Sequence, residues 1–329
     1  MKICLVSSYG GRLNEGMANV AFHLDSILSQ KHDVLHLKIT SGVLSPGSFR
    51  NTGRFRPDII HIVPGPSIRG LMLLRFLNFC APRARTVVSA TQPRFSSLTR
   101  RMIRFFKPNI VLCQSEKSAG MFRSSGCKVD FLDNGVDTST FMPASCDLKV
   151  DLRKKFGLPL DYRIALHVGP ISRERNLHIL ARLNRKADTQ VLVVGSNYQK
   201  ANAAILGELT AAGCIVWQDY VQNIEQVYAL SDCLVFPTRD SFGCIETPLS
   251  VLEAMSCNLE VFSTRYGALP RMFSEGGGFR YFESEDDLVK IFERHDTASE
   301  IMTRQKVLAM CWKNVVADLE KIYDRILGK

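Results

Sequence analysis

The chain has 329 residues, 46% of them hydrophobic, and a formal net charge of +10. That length exceeds what one hydrophobic core usually serves and fits two domains of about 150 residues, and the ordinary composition excludes collagenous, disordered and coiled-coil chains. The ten cysteines include no C-x-x-C pair and accompany no His-rich spacing, which argues against a structural zinc site or a disulfide framework and for a reducing cytosol.

The charge is unevenly spread. Residues 1–145 hold 19 Lys and Arg against 8 Asp and Glu, and residues 146–329 hold 23 against 24, giving +11 and −1. Such an excess suits an anionic acceptor, an anionic membrane surface or nucleic acid meeting the first part only. No nucleic-acid-binding motif accompanies it, so nucleic acid is not an expected partner.

In chain order, residues 2–9 read as a first strand; the apolar run 3–6 is too short for a secretory h-region. A loop holding Gly10, Gly11 and Gly16 follows, then a helix with Val20, Leu24, Ile27 and Leu28 in register. This loop is not the G-x-G-x-x-G fingerprint of a dinucleotide site. Residues 33–39 and 57–63 are the next strands, with 50–56 in a Gly/Ser-rich loop between them. His61 alternates with Ile60 and Ile62 and is expected to be a packed, hydrogen-bonded histidine.

Two apolar stretches carry arginines. Residues 71–79 and 98–107 are predicted helices, the second interleaving Arg100, Arg101 and Arg104 with Met102, Ile103, Phe105 and Phe106. Two readings stay open here, a helix lying among lipid headgroups and a core-facing helix with a solvated basic face. The most apolar segment, 68–81, contains Arg69 and Arg75 and is too short to span a bilayer. Strands are expected at 86–92, 109–114 and 129–132, and a turn at Asn134-Gly135 ends the first domain near Pro143.

The second half repeats the alternation, with strands at 163–168, 189–195 and 214–217. The most informative stretch is 229–273. An apolar run ends on Pro237, as a buried parallel strand delivering its C-terminal edge to a loop would, and ligands of doubly wound sheets sit at that edge. Thr247 and Pro248 read as an N-cap and a first-turn proline, followed by Leu249, Leu252 and Met255 on one helix face and Glu253 on another. A helix start can hold a diphosphate, and a carboxylate one or two turns on can accept hydrogen bonds from two ribose hydroxyls. A nucleotide sugar has both parts.

The segments PLSVLEAMSC and TRYGALPRMF, with NGVD before Phe141 and Pro143, resemble the GT-B retaining glycosyltransferases of family 4, the glycosyl transferases group 1. The likeness spans nearly the whole chain. It departs from the family pattern in three places: Glu246 and Glu253 are separated by six residues and not seven, Pro170 replaces an arginine after the 163–168 strand, and Ala90, Thr91 and Gln92 stand where many members present a histidine.

The resemblance implies an α/β GT-B fold of two doubly wound Rossmann-like domains facing across a cleft. Residues 1–143 would bind the acceptor, 144–305 the nucleotide sugar, and 306–329 would form a helix crossing back to the first domain. It implies a hexosyltransferase-type enzyme that moves a sugar from a nucleotide diphosphate donor to a lipid-linked or polysaccharide acceptor, with retention. The nucleotide sugar is a substrate and no cofactor is expected; no Asp-x-Asp at a strand end suggests a metal. Arg173, Arg175 and Glu246 are the expected catalytic groups. Gly169, Arg173, Arg175, Ser241, Phe242, Gly243, Thr247, Leu249 and Glu253 would hold the donor, with Glu253 on the ribose. Gly10, Gly11, Gly16, Gln92 and Arg94 would lie on the acceptor side. A non-catalytic GT-B subunit and a sugar-nucleotide 2-epimerase are the competing readings, and a cytoplasmic protein meeting the membrane's inner face peripherally is the expected setting.

Overall fold

The structure is a computed structural model that describes every residue except 8–15, 40–43, 64, 66, 94–100, 187, 196–199, 220 and 294–299. The chain folds as two compact units, one of Met1–Asn134, Ile245–Thr247 and Trp312–Lys329, the other of Gly135–Cys244 and Pro248–Cys311. Each is built on a six-stranded parallel sheet.

In the first unit the strands β1 (Lys2–Ser7), β2 (Asp33–Lys38), β3 (Ile59–Ile62), β4 (Arg85–Ala90), β5 (Ile110–Cys113) and β6 (Val129–Phe131) run in the order β2-β1-β3-β4-β5-β6. In the second, β7 (Arg163–Val168), β8 (Thr189–Val194), β9 (Ile215–Trp217), β10 (Cys233–Phe236), β11 (Glu260–Ser263) and β12 (Phe279–Tyr281) run in the order β12-β11-β10-β7-β8-β9. Both orders are doubly wound; the second reverses direction between β7 and β10, where such sheets bind ligands beyond the strands' carboxyl ends.

Burial on both faces explains why these strands were legible as apolar runs. Ile164, Leu166, Leu192, Leu234 and Phe236 pack into one core cluster of the second unit, and the intervening Ala165, Val191, Val193, Cys233 and Val235 into another. The C-terminal helix Trp312–Leu327 belongs to the first unit, where the Tyr323 hydroxyl lies 2.6 Å from Nδ1 of His61 and Ser89 Oγ lies 2.8 Å from its Nε2. Burial pushes the His61 imidazole down to about 3, so it is a neutral packing group.

Two local expectations change. Residues 50–56 are not a loop: Pro46–Phe55 is a helix that opens on a first-turn proline, bonds Thr52 Oγ1 to Ser48 O at 2.8 Å and ends on Arg56 in the left-handed region. Its buried residues, Ser48 and Thr52, are polar, so no apolar periodicity announced it. In the 98–107 stretch, 98–100 lie outside the described residues, and Ile103 is fully buried with Met102 and Phe106 half-buried. That stretch therefore turns most of its apolar side chains inward, leaving Phe105 exposed.

Candidate functional site

Two loops of the second unit meet at the carboxyl ends of β7 and β10. After β7, Gly169 leads to a single 3-10 turn, Arg173–Arg175, which Asn176 closes in the left-handed region at φ 58°. The Asn176 amide donates to Pro237 O at 3.2 Å, tying the turn to the end of β10. The Asp240–Gly243 loop is then drawn onto the same turn, since a Cβ at Gly243 would stand 2.7 Å from Glu174 O and 2.8 Å from Thr238 Cγ2. Only glycine permits that approach. Asp240 Oδ1 accepts from the Phe242 N–H at 2.8 Å, and the Tyr266 hydroxyl donates to Cys244 O at 2.5 Å, fixing both ends of the loop.

Arg175 is the unusual group in this cluster. Its guanidinium is buried at 7% exposure, yet Nε and Nη1 have no hydrogen-bond partner among the described residues. Its Cζ lies 5.9 Å from the Phe236 ring centroid, and a Cβ at Gly169 would sit 2.9 Å from Nη1, so the backbone there is bare to make room for it. Beside it, Thr238 Oγ1 and His167 Nε2 are likewise buried without partners among the described residues. Burial first, and the Arg175 charge second, hold His167 down to about 3, which keeps it neutral. Its Nδ1 is 3.0 Å from Val235 O, placing the proton on Nδ1 and leaving Nε2 an open acceptor. A buried cation with spare donors is costly unless a ligand completes it; an anion is the chemistry that fits. Arg173, two residues earlier, is exposed at the mouth of the turn.

On the other side of the switch point stands the helix Leu249–Ser256. It begins one residue later than expected, with Pro248 and not Thr247 at the cap. Thr247 is engaged elsewhere: its N–H donates to Gln114 Oε1 at 3.0 Å and its carbonyl accepts from Asn134 Nδ2 at 2.8 Å, both within the first unit. The first-turn N–H groups of Leu249 and Ser250 have no acceptor within the helix itself. Glu253 is half-buried, and its Oε2 accepts a 2.6 Å hydrogen bond from the buried Tyr228 hydroxyl. Burial raises this carboxyl to about 7 against the opposing pull of that hydrogen bond.

Glu246, an expected catalytic group, is held within the first unit. The tripeptide Ile245–Thr247 folds with the first unit, although its neighbours Cys244 and Pro248 belong to the second. The Glu246 carboxylate caps the helix Glu116–Ser124, accepting from Ser115 N at 3.1 Å, Ser115 Oγ at 2.8 Å and Ser118 Oγ at 2.8 Å. Its own N–H donates to Thr91 O at 2.7 Å. Burial raises its pKa, and the serine hydrogen bonds work against that rise. All of this describes an anchor. Replacing Glu246 with alanine is expected to cost about 2–4 kcal/mol in denaturant unfolding, because three buried donors lose their acceptor, while nucleotide affinity stays unchanged. A variant as stable as the parent but without turnover would return Glu246 to the chemistry.

On the acceptor side, Gly10, Gly11 and Arg94 lie outside the described residues. Gly16 begins the helix Gly16–Leu28, and a Cβ there would press to 3.1 Å from Ile245 Cδ1, so this glycine serves close packing. Gln92 is half-buried just past the end of β4. Of the expected donor residues, the structure gathers Gly169, Arg173, Arg175 and Gly243 together; Ser241 and Phe242 lie exposed on the loop that Gly243 closes. His167, Thr238 and Tyr228 went unread in the sequence: each is one buried residue within an apolar strand, strand end or helix, and no spacing marks it.

Polar groups without partners among the described residues thus gather at the switch point of a doubly wound sheet, where ligands of such sheets bind. Over its full length the chain is similar in fold to a glycosyltransferase from Rickettsia africae, with a TM-score of 0.75 at 14% identity, covering 100% of this chain and 99% of that one. It is also similar to Anabaena HepE in complex with UDP and glucose, with a TM-score of 0.74 at 16% identity, covering 99% of this chain and 100% of that one. The fold is GT-B. Residues 164–295, within the second unit, match the family model described as Glycosyl transferases group 1. Among curated relatives, sulfoquinovosyl transferase SQD2 of Arabidopsis thaliana is 28% identical over 252 residues, 70% of this chain and 47% of that protein. The chain spans about half the length of the first curated relatives it matches.

Proposed function

We propose that this protein is a glycosyltransferase that takes a sugar from a nucleotide diphosphate donor bound by the second unit and passes it to an acceptor hydroxyl. The observation that carries the reading is Arg175, a buried guanidinium at the sheet's switch point whose Nε and Nη1 have no partner among the described residues. In the bound complex Arg175 and Arg173 grip the diphosphate, the Leu249 end of the helix adds backbone N–H groups, and Glu253 accepts from the ribose. As the bond between the anomeric carbon and the phosphate oxygen breaks, negative charge grows on the departing nucleoside diphosphate, and groups already aimed at it stabilise the transition state. The acceptor hydroxyl gives up its proton to the departing diphosphate oxygen as its own oxygen bonds to the anomeric carbon.

Further points belong to the proposal alone. The family likeness supports retention at the anomeric carbon and a hexosyl group; the nucleotide sugar is a substrate, no cofactor takes part, and the two arginines do the work a metal would otherwise do. The first unit, with its positive charge, is the proposed acceptor side, a lipid-linked acceptor being the favoured one. HepE, in complex with UDP and glucose, supports a nucleotide-sugar donor by its likeness of fold.

The test is thermal melting with UDP-, GDP-, ADP- and CDP-sugars, with and without EDTA. Binding to the native state stabilises by about 2.7 kcal/mol at a hundredfold excess over Kd. One nucleotide should raise the melting temperature equally in both conditions. Loss of the shift in EDTA would remove metal independence; no shift with any donor would remove the donor site. A second reading has one observation in its favour, since a Glu246 committed to anchoring is what a non-catalytic subunit would tolerate. Donor binding with neither transfer nor slow hydrolysis would decide for it.

A further inference from the structure

The helix Ile68–Cys80 is apolar on two opposite faces. Leu71, Leu74 and Leu77 are buried against the first sheet. At about 100° per residue, Met72, Phe76 and Phe79 fall on the far side, where they are 41%, 62% and 85% exposed. Scattered exposed apolar residues are ordinary, but three along one stripe of one helix are not. A fourth, Phe105, is 75% exposed on a neighbouring segment, and the two segments share a core cluster through Leu71 and Ile103.

The charge around the stripe is of one sign. Arg69 and Arg75 flank it on either side of the helix, Arg83 follows its end, and Arg101 and Arg104 precede Phe105; all are exposed, and none pairs with an acidic side chain among the described residues. Between Asp58 and Glu116 the sequence contains no acidic residue. Apolar side chains projecting from a ring of unpaired cations match the acyl boundary and phosphates of an anionic bilayer, the chains entering below the headgroups and the guanidiniums staying among them. A soluble protein partner would have to supply both an apolar groove and a wholly acidic rim.

We propose that the exposed face of the helix Ile68–Cys80, through Met72, Phe76 and Phe79 with Phe105 beside them, docks the first unit on an anionic lipid surface. The contact lies on the opposite side of this helix from its core and uses none of the residues assigned to the donor, so it stands or falls without the donor reading. No helix among the described residues is long and apolar enough to cross a membrane, and this one lies along the surface.

The experiment is flotation of the purified protein with vesicles of equimolar phosphatidylcholine and phosphatidylglycerol, and with phosphatidylcholine alone, at low and high salt. The protein should float with the anionic vesicles only and detach as salt rises. The double variant F76S/F79S should bind the anionic vesicles at least about tenfold more weakly, and R75S/R83S should lose binding chiefly at low salt. Circular dichroism and thermal melting check that both variants are folded; the exposed positions make that the expected result. Wild-type protein that stays with the soluble fraction, or an F76S/F79S variant that floats like wild type, overturns the proposal. So does light scattering that finds a wild-type dimer which F76S/F79S converts to monomer without change in flotation, since the face would then cover a second copy of this chain.

Discussion

Replacing Arg175 with alanine should cut nucleotide-sugar affinity by about a hundredfold or more and leave the unliganded protein no less stable. The two effects have one origin. Hydrogen bonds to a charged group contribute about 1.5–3 kcal/mol each, and Nε and Nη1 of Arg175 have two to give. In the empty protein the same donors face no partner among the described residues, so the native state carries the cost of a desolvated cation. Removing it relieves that cost and loses its packing against Gly169 and the contact with Phe236, a cation–π interaction worth about 0.5–2 kcal/mol. Arg175→Lys should fall between, keeping the charge but not the planar fork. Calorimetric titration and thermal melting on the same preparations make the comparison. A variant that melts several degrees lower yet binds normally would make Arg175 a structural cation and take away the main support for the donor site.

The parts of this design that were legible in the sequence are those where one physical cause acts along the chain. Parallel strands buried on both faces read as short apolar runs, and ten of the twelve were placed individually. The exceptions are instructive: β12, Phe279–Tyr281, has three residues and no room for a pattern, and β11 begins on Glu260, a buried glutamate paired with Arg163 and Arg280. The helix Pro46–Phe55 buries hydroxyls in place of an apolar stripe, so periodicity had nothing to detect.

At the site, family likeness relates Arg175 to a strand end and Glu253 to a helix, and the structure puts the first in a buried polar cluster and the second against Tyr228. The surroundings of Glu246 were not legible, because they follow from the tripeptide Ile245–Thr247 folding with the first unit, beside Ser115 and Ser118 more than a hundred residues away in sequence. The exposed stripe on Ile68–Cys80 was hidden for another reason. A helix apolar on both faces looks in sequence like a buried one, and only accessibility separates Leu74 from Phe76.

Donor affinity should also rise with pH through about 7 and level off above it, with Glu253 as the titrating group. Burial holds its carboxyl at about 7 in the folded protein, against about 4.3 in an unfolded chain. Between those values the folded state keeps a proton that the unfolded state has lost, so this group's contribution to stability is full below the lower value and is lost as pH rises through the upper one. Ribose hydroxyls donate to the ionised form, so below pH 7 binding must expel that proton and affinity should drop by up to tenfold per pH unit. The donor itself does not blur the measurement, because the diphosphate of a nucleotide sugar is a diester without an ionisation in this range. Tyr228 supplies the internal control. Its hydroxyl, 2.6 Å from Oε2, pulls the Glu253 carboxyl downward, so Tyr228→Phe should move the inflection to higher pH, whereas Glu253→Gln should bind weakly and show no inflection. Titration calorimetry across pH 5.5–8.5, repeated in buffers of different ionisation enthalpy, reads affinity and proton release together. A flat profile in the wild type, or undiminished binding by Glu253→Gln, would take Glu253 off the ribose and leave it as the buried partner of Tyr228.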